Sequence, residues 1–317
     1  MKVRLSEGFI FDIHRGTTHD GPGMRTSVFF KGCPLHCAWC HNPESINPNP
    51  VIQWTKAKCI GCMICKTGCS AKAIICNEEG IKINQSLCKS CYTCVMHCPS
   101  KALVKVGELW NVENLVKEAC KDEMFFEDFD GGVTVSGGEP ILQYQFLVEF
   151  LKKLKMRGIH TALDTSGFGK REAFMAVYPY VDTFLFDIKF MDEKEHISFT
   201  GVSNKLILNN LKIILDQIQR KRDTEIWIRT PLIPGATATE YNISQIGDFI
   251  QREMINEISR WELCTFNNVC RDKYKKLNLD WKYANTQLMK QQEVNSLANI
   301  ARIYVGDKVI ASGLTGK

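Results

Sequence analysis

Short apolar segments alternate with longer amphipathic segments from about residue 106 to the end of the chain, and two further apolar segments lie near its start. Apolar runs of this length predict strands at residues 7–12, 26–31, 132–136, 159–163, 181–188, 225–229, 257–263 and 304–310. Apolar positions with a helical period predict helices at residues 112–121, 141–156, 170–178, 204–219, 239–254 and 290–302. Repeated strand–helix units of this kind predict a parallel sheet covered by helices.

Loops with polar or glycine residues follow five of the predicted strands, after Lys31, Val135, Leu163, Phe186 and Ile228. The carboxyl ends of parallel strands lie at the same edge of a sheet, and α/β proteins bind their ligands there. The sequence therefore predicts that these loops converge on one site.

A cysteine-rich segment interrupts this pattern. Residues 46–58 contain Pro48 and Pro50 and are interpreted as a linker, and residues 59–105 form a compact module. Within the module, C-I-G-C-M-I-C at residues 59–65 returns as C-K-S-C-Y-T-C at residues 88–94, an offset of 29 residues. Such a repeat indicates duplication of one structural unit. We therefore divide the chain into a main domain, residues 1–49 and 106–317, and an insert, residues 50–105.

Composition narrows the class of protein. Of the 317 residues, 44% are hydrophobic and 24% are charged, as in a folded globular protein. The net charge of +5 is spread along the chain, so no nucleic-acid partner is expected. The chain has no apolar run of about 18 residues, and residues 1–11 do not form a secretory signal, so we expect a cytoplasmic protein without a membrane span.

Eleven of the 15 cysteines fall in three clusters between Cys33 and Cys98. Disulfides are rare in a reducing compartment, and an odd total fits a disulfide framework poorly. The clustered cysteines are therefore interpreted as metal ligands. The other four are interpreted as small core residues: Cys76, Cys120, Cys264 and Cys270.

The second and third clusters have the spacing of bacterial ferredoxins, C-x2-C-x2-C-x3-C-P, in which the fourth cysteine binds the other cluster. Residues 88–99 match it in full, and residues 59–70 match it except that Ser70 replaces the proline. The spacing predicts two 4Fe–4S clusters for electron transfer, with structural zinc as the alternative. The predicted ligands are Cys59, Cys62, Cys65 and Cys98 for one cluster, and Cys88, Cys91, Cys94 and Cys69 for the other.

The first cluster of cysteines, Cys33, Cys37 and Cys40, follows a C-x3-C-x2-C spacing and supplies only three ligands. Three thiolates around a four-iron cluster leave one iron open for chemistry, as catalytic zinc sites keep an open position. Two alternatives stay open here: a three-cysteine zinc site, and a fourth ligand from His36 or His41.

Several motifs together resemble the glycyl-radical-enzyme activating enzymes of the radical S-adenosylmethionine (SAM) superfamily. Residues 33–40 are similar to the cysteine motif of the superfamily, and D-G-P-G-M-R-T at residues 20–26 is similar to a motif of the activating enzymes. The motifs S-G-G-E-P at residues 136–140, D-T-S-G at 164–167 and D-I-K at 187–189 follow in order. The resemblance covers essentially the whole chain, and the insert places it with the activating enzymes that carry two extra clusters.

The resemblance implies a reaction. SAM would chelate the open iron and accept one electron at its sulfonium, and its C5′–S bond would break homolytically. The resulting 5′-deoxyadenosyl radical would remove a hydrogen from a glycine Cα of a partner glycyl radical enzyme. The expected cofactors are three 4Fe–4S clusters, SAM and a monovalent cation, and the expected electron donor is a flavodoxin or ferredoxin. We expect a monomer that binds neither nucleic acid nor membrane.

The resemblance also assigns residues to SAM and its surroundings. The SAM-contacting residues would be Trp39, Gly137, Gly138, Glu139, Asp164, Asp187, Lys189, Arg229 and Asn267. The monovalent cation would be bound by Asp164, Thr165 and Asp187, and Asp20 would lie near the substrate loop. Asn267 departs from the family pattern E-L-L-P-Y-H, because residues 262–267 read E-L-C-T-F-N.

The residues taken alone leave simpler interpretations open. Trp39 would equally pack within its loop, Gly137 and Gly138 would form a tight turn, and Asp187 with Lys189 would form an ion pair at a strand end. Glu139 would either contact the SAM ammonium group or hold its turn.

We therefore expect an α/β protein, a partial (β/α)6 TIM-like barrel with an inserted ferredoxin-like α+β domain, that acts as an activating enzyme. A barrel short of eight strands leaves a lateral gap for a macromolecular substrate. Two other functions stay open, a radical SAM enzyme acting on a small molecule and an iron–sulfur electron-transfer protein. The second would leave Cys33, Cys37 and Cys40 without a role.

Overall fold

The computed structural model describes residues 6–78, 80–85, 87–221 and 223–316. The strands are β1 (Glu7–Thr17), β2 (Arg25–Phe30), β3 (Val51–Trp54), β4 (Ile74–Asn77), β5 (Gly80–Ile83), β6 (Leu103–Val106), β7 (Glu108–Asn111), β8 (Gly132–Gly137), β9 (His160–Thr165), β10 (Thr183–Asp187), β11 (Glu225–Leu232), β12 (Arg260–Thr265) and β13 (Val309–Ser312). The α-helices are α1 (Pro43–Ile46), α2 (Ile64–Thr67), α3 (Thr93–Met96), α4 (Val112–Ala119), α5 (Glu123–Asp128), α6 (Tyr144–Lys155), α7 (Arg171–Val177), α8 (Glu193–Thr200), α9 (Lys205–Lys221), α10 (Glu240–Glu253), α11 (Arg271–Leu277) and α12 (Gln291–Val305). Within the described ranges, no helix has the length and apolar character needed to cross a bilayer.

Nine strands form the main sheet, in the order β13-β12-β11-β10-β9-β8-β2-β1-β7. The seven strands from β13 to β2 in this order are parallel to one another. The strands β1 and β7 are antiparallel additions at one edge. The large parallel sheet with helices between its strands confirms the predicted α/β class.

The two faces of the main sheet differ in polarity. On one face, side chains such as Val135, Leu163 and Phe186 are buried against the long helices in a single apolar core. The residues that follow them in sequence, Ser136, Asp164 and Asp187, point to the opposite face because successive strand side chains alternate. The sheet thus packs on one side and presents strand-end polar groups on the other.

The strand β11 differs from its predicted course. The sequence predicts a strand over residues 225–229 only, yet the pairing with β12 continues through Pro231 to Leu232. The neighbouring strand β10 has already ended at Asp187, and the last backbone bond on that side runs from Ile188 N to Arg229 O at 2.9 Å. Pro231 faces this unpaired side, so its missing N–H leaves no ladder bond unmade.

Three other predictions were wrong in detail. Residues 304 and 305 belong to α12, and β13 begins only at Val309. Leu142 falls within the helix predicted over residues 141–156, but it lies in a 3₁₀ turn ahead of α6 and is 49% exposed. The segment interpreted as a linker contains β3, which is too short to show a periodic pattern.

The segment between residues 51 and 106 contains its own small core. The strand β3 pairs with β6, and β4 pairs with β5. The buried side chains of this core are Ile52, Trp54, Cys65, Ile74, Ile81, Ala102 and Leu103. They are separate from the core of the main sheet.

Arg25, at the start of β2, is buried and densely hydrogen-bonded. Its Nε donates to Thr134 Oγ1 at 2.6 Å, and its Nη atoms donate to the carbonyl oxygens of Pro22 at 2.8 Å and Val133 at 2.9 Å. The Nδ1 atom of His160 lies 3.2 Å from Nη2. Arginine only donates, so this imidazole nitrogen accepts and the ring is neutral. Burial and the Arg25 charge lower the pKa of His160 to about 4.

The contact between Arg25 and His160 predicts that the folded protein loses stability in mild acid. An unfolded histidine binds a proton near pH 6.5, whereas folded His160 does so only near pH 4, so the unfolded state takes up more protons between these values. As the pH falls through this window, we expect the free energy of unfolding to fall by about 1–2 kcal/mol from His160, after allowance for solvent screening. Anaerobic urea titrations of the wild type and His160→Asn at pH 7 and pH 5 measure the effect. An equal pH dependence in the two proteins would contradict the assignment.

Candidate active site

A cavity of about 260 Å³ lies at the carboxyl ends of the parallel strands, on the polar side of the sheet. Residues from the loops after β2, β8, β9, β10 and β11 line it, so the loops that were predicted to converge do so. The chemistry-bearing lining residues are Cys33, Cys37, Trp39, Cys40, His41, Ser136, Gly137, Gly138, Asp164, Thr165, Ser166, Asp187, Lys189 and Cys264.

The cysteine loop, residues 33–42, is held from both sides. Ala38 N donates to Phe199 O of α8 at 2.9 Å. From the opposite side, Trp281 Nε1 donates to Ala38 O at 3.0 Å, and Tyr274 Oη of α11 donates to Cys40 O at 2.8 Å. The backbone of the cysteine loop is therefore held by hydrogen bonds with α8, α11 and Trp281.

The three thiols of this loop are partly buried and resist ionisation. Burial raises the pKa of Cys33 to about 12 and raises the pKa values of Cys37 and Cys40 as well. The Lys189 ammonium group partly offsets the effect at Cys33 and Cys37. Metal ligation of these thiols therefore requires release of their protons. Within the described ranges no three Cys, His, Asp or Glu side chains are close enough to hold a single metal ion, so the ligand set stays a prediction.

Two aromatic residues of the loop line the cavity. The His41 ring contacts Phe266 edge-on, at a centroid distance of 6.4 Å, and burial lowers the pKa of His41. Of the two histidines considered as a fourth ligand, His41 lines the cavity, whereas His36 is exposed. Trp39 packs on Phe190 with a centroid distance of 6.2 Å while also lining the cavity, so its position fits both the packing and the ligand-contact interpretations.

The glycine pair at the end of β8 lies against the start of the cysteine loop. Gly137 has a φ of +115°, and a side chain there would meet the backbone of Phe30. A Cβ on Gly138 would overlap the carbonyl oxygen of Gly32 and lie 3.3 Å from Cys33 Cβ. Glycine is therefore required at both positions for the approach of one backbone segment to another.

Glu139 holds the turn after β8. Its carboxylate is fully buried and accepts hydrogen bonds from Thr165 Oγ1 at 2.8 Å, Ser166 N at 2.8 Å and Ser166 Oγ at 2.6 Å. Burial raises the pKa of Glu139 to about 7, and these hydrogen bonds oppose the shift. Its oxygens are directed at the turn after β9 rather than at the cavity, which favours the second of its two interpretations.

The strand-end carboxylates and Lys189 form the charged wall of the cavity. Asp164 accepts from Ser136 Oγ at 2.6 Å, and burial raises the pKa of Asp164 to about 6 against the opposing charge of Arg229. Asp187 is ion-paired with Lys189, with 2.5 Å between Oδ2 and Nζ. Burial lowers the pKa of Lys189, but the charge of Asp187 and its hydrogen bond outweigh this effect and leave the pKa above its usual value. The cavity thus holds two carboxylates and one ammonium group.

Four predicted contact residues are absent from the described lining of the cavity: Glu139, Arg229, Asn267 and Asp20. Arg229 lies behind Asp164, with Nη1 at 3.4 Å from Oδ1. Its Nε lies 3.0 Å from Glu262 Oε2, an ion pair not aligned as a hydrogen bond. The Asn267 amide oxygen accepts from Val269 N at 3.3 Å. The Asp20 carboxylate accepts from Ser27 Oγ at 2.6 Å.

Sequence reasoning gave no role to several polar residues of the cavity, among them Ser136 and Cys264. Ser136 belongs to a motif that was recognised, but its contact with Asp164 depends on the pairing of β8 with β9. Cys264 of β12 was left as a core thiol, yet it lines the cavity. Burial raises the pKa of Cys264 to about 12, against the charge of Arg229. Cys264 lies in the segment at residues 262–267 that was compared with the family pattern, which placed it near the predicted site without a role.

The insert groups its eight motif cysteines into two sets. One cavity is lined by Cys59, Cys62, Cys65 and Cys98. The other is lined by Cys69, Cys88, Cys91 and Cys94. These are the same crossed sets that the ferredoxin spacing predicts. Cys76 of β4, interpreted as a core residue, also lines the first cavity.

Comparison with known proteins places the chain in a family. Residues 19–208 match the model of a family described as a 4Fe-4S single cluster domain. The chain is 40% identical over 298 residues to the trans-4-hydroxy-L-proline dehydratase activating enzyme of Clostridioides difficile, covering 93% of this chain and 95% of that protein. It is 36% identical over 323 residues to the 4-hydroxyphenylacetate decarboxylase activating enzyme of Clostridium scatologenes, covering 95% and 98%. This chain is a glycyl-radical-enzyme activating enzyme.

The fold of this activating enzyme has relatives among solved structures. It resembles a radical SAM methyltransferase from Sphaerobacter thermophilus with a TM-score of 0.52 and 12% identity, over 96% of this chain and 73% of that chain. This likeness concerns the fold alone. The family membership carries the activity: a radical SAM activating enzyme cleaves SAM reductively and installs a glycyl radical on a partner enzyme.

Proposed function

We propose that Cys33, Cys37 and Cys40 hold the 4Fe–4S cluster at which this activating enzyme cleaves SAM. The observation that carries the proposal is the cavity, because it joins these three thiols to glycines, carboxylates and an ammonium group from neighbouring strand ends. The donor set fits an iron–sulfur cluster, since thiolates are its usual ligands. When bound, the cluster supplies the electron that breaks the C5′–S bond.

The cavity wall supplies groups for the polar parts of SAM. Lys189 is positioned to pair with the SAM carboxylate, and in doing so would exchange its present partner, Asp187. Asp164, Asp187 and Thr165 then offer oxygen ligands to a monovalent cation. Trp39 provides an aromatic surface for the adenine. Arg229 supports this wall through Asp164, and Asp20 and Asn267 keep their proposed places near the substrate and SAM.

The two cysteine sets of the insert would hold two further 4Fe–4S clusters, giving three in all. Residues 50–105 would then form a ferredoxin-like domain, supported by their separate core. The main sheet, with its helices on one face, would form a partial (β/α) barrel with one parallel strand more than the six predicted. We place the protein in the cytoplasm as a monomer that receives electrons from a flavodoxin or ferredoxin and transfers the radical to the glycine loop of its partner.

The test uses reduced, cluster-loaded protein with SAM and a candidate glycyl radical enzyme. Methionine and 5′-deoxyadenosine should appear, and electron paramagnetic resonance should show a glycyl doublet on the partner. A partner variant whose loop glycine is alanine should give no doublet. Failure of the loaded, reduced protein to cleave SAM at all would overturn the proposal, and turnover of a small molecule without a partner would redirect it.

A further inference from the structure

The insert contains two cysteine loops, the first at residues 59–65 and the second at residues 88–94. The two loops share a backbone conformation but differ in their side chains. Met63 and Tyr92 occupy equivalent positions, and both have left-handed backbone conformations, with φ of 60° and 58°. The repeat alignment matches Ile60, Met63 and Ile64 of the first loop with Lys89, Tyr92 and Thr93 of the second. The two copies therefore have the same local fold and different surfaces.

The second loop is hydrogen-bonded to the residue at which the insert joins the main domain. Tyr92 Oη donates to Pro50 O at 2.9 Å. Pro50 lies beside Gly107, since a Cβ on Gly107 would be 3.3 Å from Pro50 Cα and would also overlap the Lys31 side chain. Lys31 directly precedes Gly32 and the cysteine loop of the active site. The Cys88–Cys94 loop is thus connected to the segment that leads into the active site.

The first loop lies at the far end of the insert. The pair β3 and β6 begins with Val51 opposite Val106, next to Pro50 and Gly107, and ends with Trp54 opposite Leu103. Ile52, near the first end, lines the cavity of Cys69, Cys88, Cys91 and Cys94. Leu103, at the other end, lines the cavity of Cys59, Cys62, Cys65 and Cys98. The inner set, nearer the active site, is therefore Cys69, Cys88, Cys91 and Cys94. The outer set is Cys59, Cys62, Cys65 and Cys98.

The first loop, residues 59–65, is the outer loop because it lies farther from the active site. It has an apolar surface bordered by lysines. Ile60, Met63 and Ile64 are 67%, 47% and 43% exposed. The exposed lysines on the same and adjoining segments are Lys56, Lys58, Lys66 and Lys101. Residues 50–105 contain eight lysines and two glutamates, a net charge of +6, whereas the whole chain carries +5. The excess positive charge is therefore concentrated in the insert, and the even spread expected from the sequence is wrong.

We propose that an acidic one-electron carrier protein docks on this outer loop. The proposal rests on the proposed function and adds the point at which electrons enter. Apolar contact at Ile60, Met63 and Ile64 would exclude water between the two redox groups, and the lysines would steer a carrier of opposite charge. The carrier would lose one electron, the cluster held by Cys59, Cys62, Cys65 and Cys98 would gain it, and no covalent bond would change. The tie through Tyr92 then makes the inner set the intermediate between the outer set and the active site.

Binding of oxidised flavodoxin to the cluster-loaded protein tests the surface. Isothermal titration at about 50 mM salt should show Kd at least about 10-fold weaker for Lys58→Glu/Lys66→Glu than for wild type. The control is Lys72→Glu/Lys89→Glu, which changes the charge of the insert by the same amount but lies beside the inner cysteine set. This control should alter Kd by less than about 2-fold. Wild-type affinity in the first pair, or equal weakening in both pairs, would overturn the proposal.

Controls for iron content and for SAM cleavage accompany the binding experiment. Each variant must carry the wild-type iron content, and Lys56→Glu/Lys101→Glu serves as a second outer pair if the first does not. Cleavage of SAM by wild-type protein with dithionite tests the proposed function separately, because a small reductant needs no docking surface. Loss of carrier binding and failure of SAM cleavage are thereby distinguishable.

Discussion

Replacing Cys37 with alanine is expected to abolish SAM cleavage by the reduced protein, a loss of at least about 1,000-fold, because residues that act as a unit fail together. The thiol lies in the cavity with Cys33 and Cys40, and two thiols cannot retain the cluster. If three clusters are present, about one third of the iron should be lost while the insert clusters remain. Iron quantitation and chromatography of methionine measure both effects.

The matched control is Cys264→Ala. Cys264 is also a partly buried thiol that lines this cavity, but it belongs to β12 and contacts Arg229. We expect this variant to keep the full iron content. Loss of iron on the scale of the Cys37 variant would show that Cys264 is a fourth ligand, and the proposal of an open iron would then be wrong.

Replacing Gly138 with alanine is expected to lower the rate of SAM cleavage at least about 100-fold, the scale that a misplacement of about 1 Å causes in an active site. The new Cβ would overlap Gly32 O, a backbone atom that also accepts a hydrogen bond from Glu139 N at 2.7 Å. Relief of the clash requires movement of the loop that begins at Cys33. The rate of SAM cleavage and the paramagnetic resonance spectrum of the reduced protein with SAM report this displacement.

Gly158→Ala provides the comparison. Gly158 has a φ of +74°, and nothing lies within 4 Å of the position of its Cβ, so alanine there meets backbone strain without a clash. We expect a loss of about 1 kcal/mol in the free energy of unfolding and an unchanged rate of SAM cleavage. Equal losses of rate in the two variants would show that general destabilisation, rather than the contact with Gly32, explains the Gly138 result.

The parts of the site set by local spacing could be predicted from the sequence. The crossed sets of insert cysteines follow from two short motifs, and the structure groups the same residues. The position of Asp164 and Asp187 at neighbouring strand ends follows from the apolar segments that precede them. In both cases the relevant neighbours are fixed by a few residues on each side.

Contacts between distant segments could not be predicted. Trp281 holds the carbonyl of Ala38, which lies 243 residues earlier in the chain. The role of Glu139 depends on Thr165 and Ser166 of the next strand end, and a buried carboxylate is satisfied only when such donors are present. Neither contact has a periodic or compositional sign, because each depends on which strands are neighbours.

The adjacent positions of Val51 and Val106 affect how this protein architecture can vary. The two ends of the intervening segment lie side by side, so the length of that segment does not enter the spacing of the nine strands of the main sheet. Shortening, lengthening or exchanging this segment would change the iron–sulfur sites that it carries, while the strand order of the main sheet stays the same. Natural variation can thus adapt the protein to a different supply of electrons without rebuilding the place where the radical is made.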